Sequence, residues 1–270
     1  MTSKTGACTL ALVAVLGCQR GSAQMDSWMS DRELASYLTR NGVAVSTERA
    51  SLWFDSGALE PEQMDVFAKL VNRGIIDIEE YLGVSRASGR RIRYFISNRV
   101  EISHSTWRSI FLPLSKVQNR TAPYLHETVH QVAPCDDCPM WFNEGLASFV
   151  QSYVSEHTGG YDGAIFSERG NRGIDQDARR WLASDRGQVV LPFIGVPGEP
   201  PDINYDRSNV AAPFYVMAQS LVKFMVDRTK LNKLRPVFEA KDFEAALQSS
   251  TGKSSAEWKE KWLAKLKKSR

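Results

Sequence analysis

Cysteine is scarce in this chain, with four residues in 270. Two of them, Cys8 and Cys18, fall in an apolar N-terminal stretch, which leaves only Cys135 and Cys138, in "CDDC". A structural zinc site closed by thiolates would need two further ligands nearby, and no other cysteine supplies them. A thiol oxidoreductase is disfavoured as well, because Asp136 and Asp137 between the cysteines would raise a thiolate's pKa. A small local disulfide in an oxidising compartment is the reading that remains. Charge of one sign is also lacking. The formal net charge is +3, so charge balance gives no support to a nucleic-acid partner or a polybasic membrane surface. No internal repeat or low-complexity block stands out, and the N-terminal apolar run is too short to span a bilayer of roughly 30 Å as a helix.

That run has the layout of a targeting signal. Lys4 forms a short cationic region, "CTLALVAVLG" is apolar, and "VLGC" resembles a bacterial lipobox in which Cys18 becomes the lipidated first residue. Leu16 is bulkier than the small residue usual there, and "GSA" before Gln24 offers ordinary cleavage near residue 23 instead. Both readings export the mature protein to the cell envelope, lipid-anchored, periplasmic or secreted, and the lipid would be its only membrane contact. The expected organisation is a signal over 1–18, an N-terminal segment over 19–44 and one domain over 45–270. Within that domain, a sheet with two further helices occupies 45–160, a loop-rich connection 161–212 and a helical lobe 213–270.

Hydrophobic periodicity supports an α+β protein. "DRELASYLTR" reads as a short helix and "RASLWFD" as a strand before a turn at Ser56-Gly57. Met64, Phe67, Val71, Ile75, Ile78 and Leu82 recur at helical spacing up to a stop at Gly83. "RRIRYFISN" alternates as a strand, and "STWRSIFLPLS" reads as another. Thr121 is a candidate N-cap for a helix that carries Pro123 in its first turn and stops before Pro134. Pro139 opens a second helix, with Leu146, Phe149, Val150 and Tyr153 on one apolar face. Residues 187–212, rich in Gly and Pro, read as a long irregular connection. Helical pattern returns at "PFYVMAQSLVKFMVDR" and continues to a basic amphipathic C-terminus.

The chemistry concentrates in "PYLHETVHQV". Residues four apart share a helix face, so the rings of His126 and His130 can converge on one ion. Zinc suits two neutral imidazoles and a carboxylate, with the fourth position left for water. Glu127, rotated about 100° from His126, flanks such an ion without ligating it and can take a proton from the activated water. The neighbouring residues Tyr124, Leu125, Thr128, Val129, Gln131 and Val132 carry no charge, as a buried active-site helix requires. A third ligand is available in "PMWFNEGLASFV", where Glu144 follows His130 by fourteen residues and a helical hairpin can return it to the imidazoles. Gly145 and Ala147 are small enough to let the second helix approach the first.

"HETVH" followed by "WFNEGLAS" resembles the gluzincin zinc metallopeptidases, and the spacing fits the small peptidase MA-like proteins, which are mostly bacterial. The likeness continues in the helix ending in "LG" at residue 83. It also takes in Tyr215, Ala218, Leu221, Val222 and Phe224 of a later helix, and Ala246, Leu247, Gly252, Ser254 and Trp258 near the end. The resemblance implies a zincin-like fold, with an N-terminal mixed sheet, an active-site helix and a mainly helical C-terminal lobe. It implies Zn2+ held by His126, His130 and Glu144, with Glu127 as general base, and a peptide or protein substrate. Relatives place a Tyr or His of the helical lobe at the developing oxyanion. Tyr215 matches that role, with a core tyrosine as its other reading and Tyr205 as a second choice. No "G-x-M-E-N"-like segment is present, so aminopeptidase activity is not implied. Ser148 stands where many relatives have a carboxylate. Asn143 could orient Glu144 or cap its helix. His104 and His157 read as surface, turn or loop residues. The competing functional reading is an exported binding module with a vestigial or structural zinc site.

Overall fold

The computed structural model describes residues 29–84, 90–106, 108–158, 167, 169–198, 200 and 210–268. Cys18 and Tyr205 lie outside the described residues, as does the whole targeting segment. The chain opens with α1 (Asp31–Asn41), started by a capping box between Ser30 and Glu33. Strands β1 (Val43–Ser46) and β2 (Ala50–Phe54) follow, and then α2 (Pro61–Leu82). Pro61 occupies the first turn of α2, and Gly83 ends it in the left-handed conformation (φ 61°), where a side chain would be strained. Next come β3 (Ile92–Ser97), β4 (His104–Thr106) and β5 (Ser109–Pro113). The segment that reads as one strand is therefore a short hairpin of β4 and β5.

The five strands form one mixed sheet in the order β1-β2-β3-β5-β4. Strands β2, β3 and β5 run parallel, and β1 and β4 close the two edges antiparallel. The folded body thus begins before residue 45, because β1 starts at Val43 and Leu34 and Leu38 of α1 are buried with Phe95, Val100 and Phe111 against one face. On that face the register aligns Trp53, Phe95, Phe111 and His104 on neighbouring strands. Their rings stack successively at 5.1, 5.2 and 5.0 Å, a four-ring ladder from β2 to the edge strand β4. The other face presents Leu52, Phe54, Tyr94, Ile96, Ile110 and Leu112 to the main core.

A short helix, α3 (Leu114–Gln118), leads into α4 (Tyr124–Val132) and α5 (Met140–Thr158). The N-cap of α4 is Pro123 rather than Thr121. Thr121 instead donates its hydroxyl to the Lys116 carbonyl, closing the turn after α3. Much of the expected connection over 161–212 is helical among the described residues, with α6 (Gly170–Leu182) and α7 (Asp185–Val190) followed by a 3-10 turn at Leu191–Phe193. Ser184 caps α7 by accepting from the Gly187 N–H. Gly187 is required there for close approach and not for flexibility, since a Cβ would run into the Trp181 carbonyl.

The helical lobe comprises α8 (Ala211–Thr229), α9 (Leu231–Phe238), α10 (Phe243–Thr251) and α11 (Ser255–Lys268). Helix α8 lies at its centre, with Phe214, Met217, Leu221 and Met225 buried. Buried amides fix its rotation, because Gln219 Nε2 donates to Ser152 Oγ and Asn171 Oδ1, each at 2.9 Å. Among the described residues, no helix is long and apolar enough to cross a membrane.

Candidate metal centre

Helix α4 is seated by polar pins as well as by its apolar side. Thr128 Oγ1 donates to the Tyr124 carbonyl, so it accepts from the Tyr94 hydroxyl of β3 at 2.7 Å. Gln131 Nε2 donates to the Thr106 carbonyl of the edge strand β4. With Leu125, Val129 and Val132 buried in the core, the opposite side of α4 presents His126 and His130 to a cleft of about 1000 Å³. Glu127, Asn143, Glu144 and Tyr215 line the same cleft.

Helix α5 returns Glu144 to the imidazoles. Its Oε2 lies 2.9 Å from His126 Nε2 and 3.6 Å from His130 Nε2, and the two Nε2 atoms are 3.2 Å apart. Zinc bonds of about 2.05 Å in tetrahedral geometry give ligand–ligand edges of roughly 3.3 Å, within the spread of these separations. His126, His130 and Glu144 therefore form a group that could hold a metal ion. Asn143 serves a different residue from the one expected. Its Oδ1 lies 3.1 Å from His130 Nδ1, so in the neutral ring that a metal requires, Nδ1 carries the proton and the Nε2 lone pair faces the triad. The signal for this was the Asn-Glu pair itself, but the partner depended on the angle between the two helices.

Electrostatics reflect burial and mutual charge. Burial opposes the charged form of His130, yet Glu144 and Glu127 outweigh it and raise the imidazole to about 9 in the metal-free protein. Burial would raise Glu144, but the two histidines hold it well below the usual carboxylate range. Glu127 moves the other way, because desolvation pushes its carboxyl up against the opposing pull of the histidines. The Tyr215 phenol is pushed well above its ordinary value by burial and by the Glu144 and Glu127 charges, so it stays protonated. Its ring centroid is 5.8 Å from that of His126.

Small residues matter here, but at a different interface from the one expected. A Cβ on Gly145 would sit 2.7 Å from the Ala218 carbonyl, so the glycine permits close approach of α5 to α8 and not to α4. Ala218 is one turn beyond Tyr215 on α8, and the Tyr215 side chain hydrogen-bonds Glu144. Cys135 and Cys138 are joined by a disulfide in the α4–α5 connection. Ser148 is buried, with no hydrogen-bond partner for its hydroxyl among the described residues. His157 lies in the last turn of α5, not in a loop, and stacks on Tyr153. His104 lines the cleft, with Nε2 3.0 Å from Asp31 Oδ1 and Nδ1 2.9 Å from the Ile102 carbonyl. Residue spacing gave no sign of this, because Asp31 arrives from α1.

No family model matches the chain, and no curated protein matches it.

Proposed function

We propose that this chain is a zinc-dependent peptidase with a zincin-like arrangement of the gluzincin, peptidase MA-like type. The observation that carries the reading is the triad of His126, His130 and Glu144 at near-tetrahedral spacing, open to a cleft and flanked by buried Glu127. Three protein ligands suit a catalytic ion, whereas structural zinc sites are usually closed by four.

His126, His130 and Glu144 would hold the ion, and Asn143 fixes the His130 tautomer that makes this workable. When bound, zinc polarises the scissile carbonyl and lowers the pKa of water to about 7. Glu127, with its basicity raised by burial, accepts the proton of the attacking water and delivers it to the leaving amine. Tyr215, held protonated, donates a hydrogen bond to the carbonyl oxygen as that oxygen gains charge. The substrate class is a peptide or protein. The Cys135–Cys138 bridge and the lipobox-like "VLGC" support an exported setting in the bacterial cell envelope, anchored through Cys18 or released.

Metal analysis combined with turnover tests this reading. The purified protein is expected to carry one zinc, and His126→Ala to lose it. Glu127→Gln is expected to keep the metal while hydrolysis of a mixed peptide library falls by about 10²–10⁴-fold. Absence of stoichiometric zinc, or unchanged hydrolysis in Glu127→Gln, defeats the proposal in favour of a non-catalytic exported module.

A further inference from the structure

The cleft carries a second chemistry that the metal triad does not use. Arg90, Arg91, Arg93 and Arg108 line it, and all four are exposed. Apart from Glu127 and Glu144, Asp136 is the one acidic residue among the described lining residues. The grouping comes from strand register. Arg90 and Arg91 lead into β3, Arg93 is on β3, and the pairing of Arg93 with Ser109 brings Arg108 alongside. Arg93 is partly fixed, its Nε donating to the Arg108 carbonyl and its guanidinium lying 5.9 Å from the Phe95 ring centroid. Ser103 adds a buried hydroxyl with no hydrogen-bond partner among the described residues, on the wall of the same cleft.

Like charges gathered in a concave surface repel one another and draw an anion. A guanidinium takes a carboxylate through two parallel hydrogen bonds, so arginine is the residue suited to that recognition. Because the arginines share one cleft with the triad, the anion they meet belongs to whatever occupies that triad. A polynucleotide fits less well, since the chain's formal net charge of +3 supplies no extended basic face. We propose that the cleft selects peptides bearing carboxylates near the bond to be cut, with Arg91 and Arg93 as the specificity-determining contacts. The hydrolytic consequence rests on the peptidase reading, but the binding preference does not.

Fluorescence anisotropy separates the two. The probe is a short fluorescein-labelled peptide rich in glutamate, compared with its glutamine counterpart, each made as a C-terminal acid and as an amide. The Glu127→Gln protein is used with and without added zinc, so that the probe is not consumed. At low salt the glutamate amide is expected to bind about tenfold more tightly than the glutamine amide, with the advantage shrinking as salt rises. Arg91→Glu with Arg93→Glu should abolish the preference, while Arg93→Lys should keep part of it. Thermal melts check that each variant is folded, and the milder Arg91→Gln serves if the double variant is not. An advantage that follows the free C-terminus supports carboxylate recognition with the chain end as its source. Equal affinity for all four peptides, or a preference that survives the double reversal, overturns the proposal, as does tighter binding of oligo(dT) or anionic vesicles. None of these results depends on turnover. A protein that binds glutamate peptides but cuts nothing fails only the peptidase reading.

Discussion

Helices α4 and α8 both deliver side chains to the cleft and both carry buried hydrogen bonds, yet the contact that seats each beside the triad is of a different kind. Helix α4 is pinned by hydrogen bonds to two strands, Thr128 to Tyr94 and Gln131 to Thr106. At the level of the site, α8 is located by the absence of a side chain, Gly145 of α5 against the Ala218 backbone. A hydrogen-bond pin sets the rotation of a helix, and so which face shows its histidines. A glycine contact sets separation, and so how near Tyr215 comes to Glu144. The first kind of control degrades gradually when a pin is lost. The second fails steeply, because a backbone carbonyl cannot move aside as the end of a flexible side chain can.

The largest expected effect is therefore at the glycine. Gly145→Val should cost about 3 kcal/mol of stability, read by chemical denaturation, because the branched side chain has no space beside Ala218. It should also part Tyr215 from Glu144. Next comes the acid–base coupling of the triad in metal-free protein. His130 is raised to about 9 from an ordinary value near 6.5. Its contribution to stability is thus complete below about pH 6.5 and lost as pH climbs through 9. Glu144 is lowered, so its contribution is present above its ordinary pKa and lost as pH falls into the acid range. Denaturation midpoints of metal-free protein across this range should show both limbs, and His130→Gln should flatten the alkaline one. Removing the residue that orients His130 should be milder, with Asn143→Ala weakening zinc binding about 10–100-fold in competition with a chelator. Smallest is the loss of one α4 pin. Tyr94→Phe should cost about 1 kcal/mol and leave the metal affinity within a few-fold, since Gln131 still holds the helix. If Tyr94→Phe proved as damaging as Gly145→Val, the contrast between the two kinds of control would not hold.

What could be read from the chain alone follows the same division. His126, Glu127 and His130 are legible because a helix turns their spacing directly into a shared face. The long apolar stripe of α2 and its Gly83 stop are local in the same sense. Glu144 needed a hairpin, which the fourteen-residue spacing and the turn between two helical patterns allowed but did not by themselves require. Gly145 was recognisable as a contact residue, but its partner was not, because Ala218 is far away in sequence. The Gly- and Pro-rich reading of residues 187–212 fell short for a related reason, since Gly187 at its start lies in α7 and permits close approach to Trp181. The arginine wall and the Asp31–His104 pair were invisible, because β-sheet register and the seating of α1 create them.

The ring ladder of Trp53, Phe95, Phe111 and His104 bears on how the cleft responds to load. Strand β4 has only three residues, and a segment so short would peel from a sheet one hydrogen bond at a time if a bound chain tugged on it. Its terminal ring is instead stacked on a column that crosses four strands, and Asp31 ties that ring back to α1. Force applied at the rim is thus spread as shear over four of the five strands. The edge strand should behave as a rigid lip and not as a flap, its amides exchanging with solvent at rates close to those of β5 until His104→Ala cuts the column.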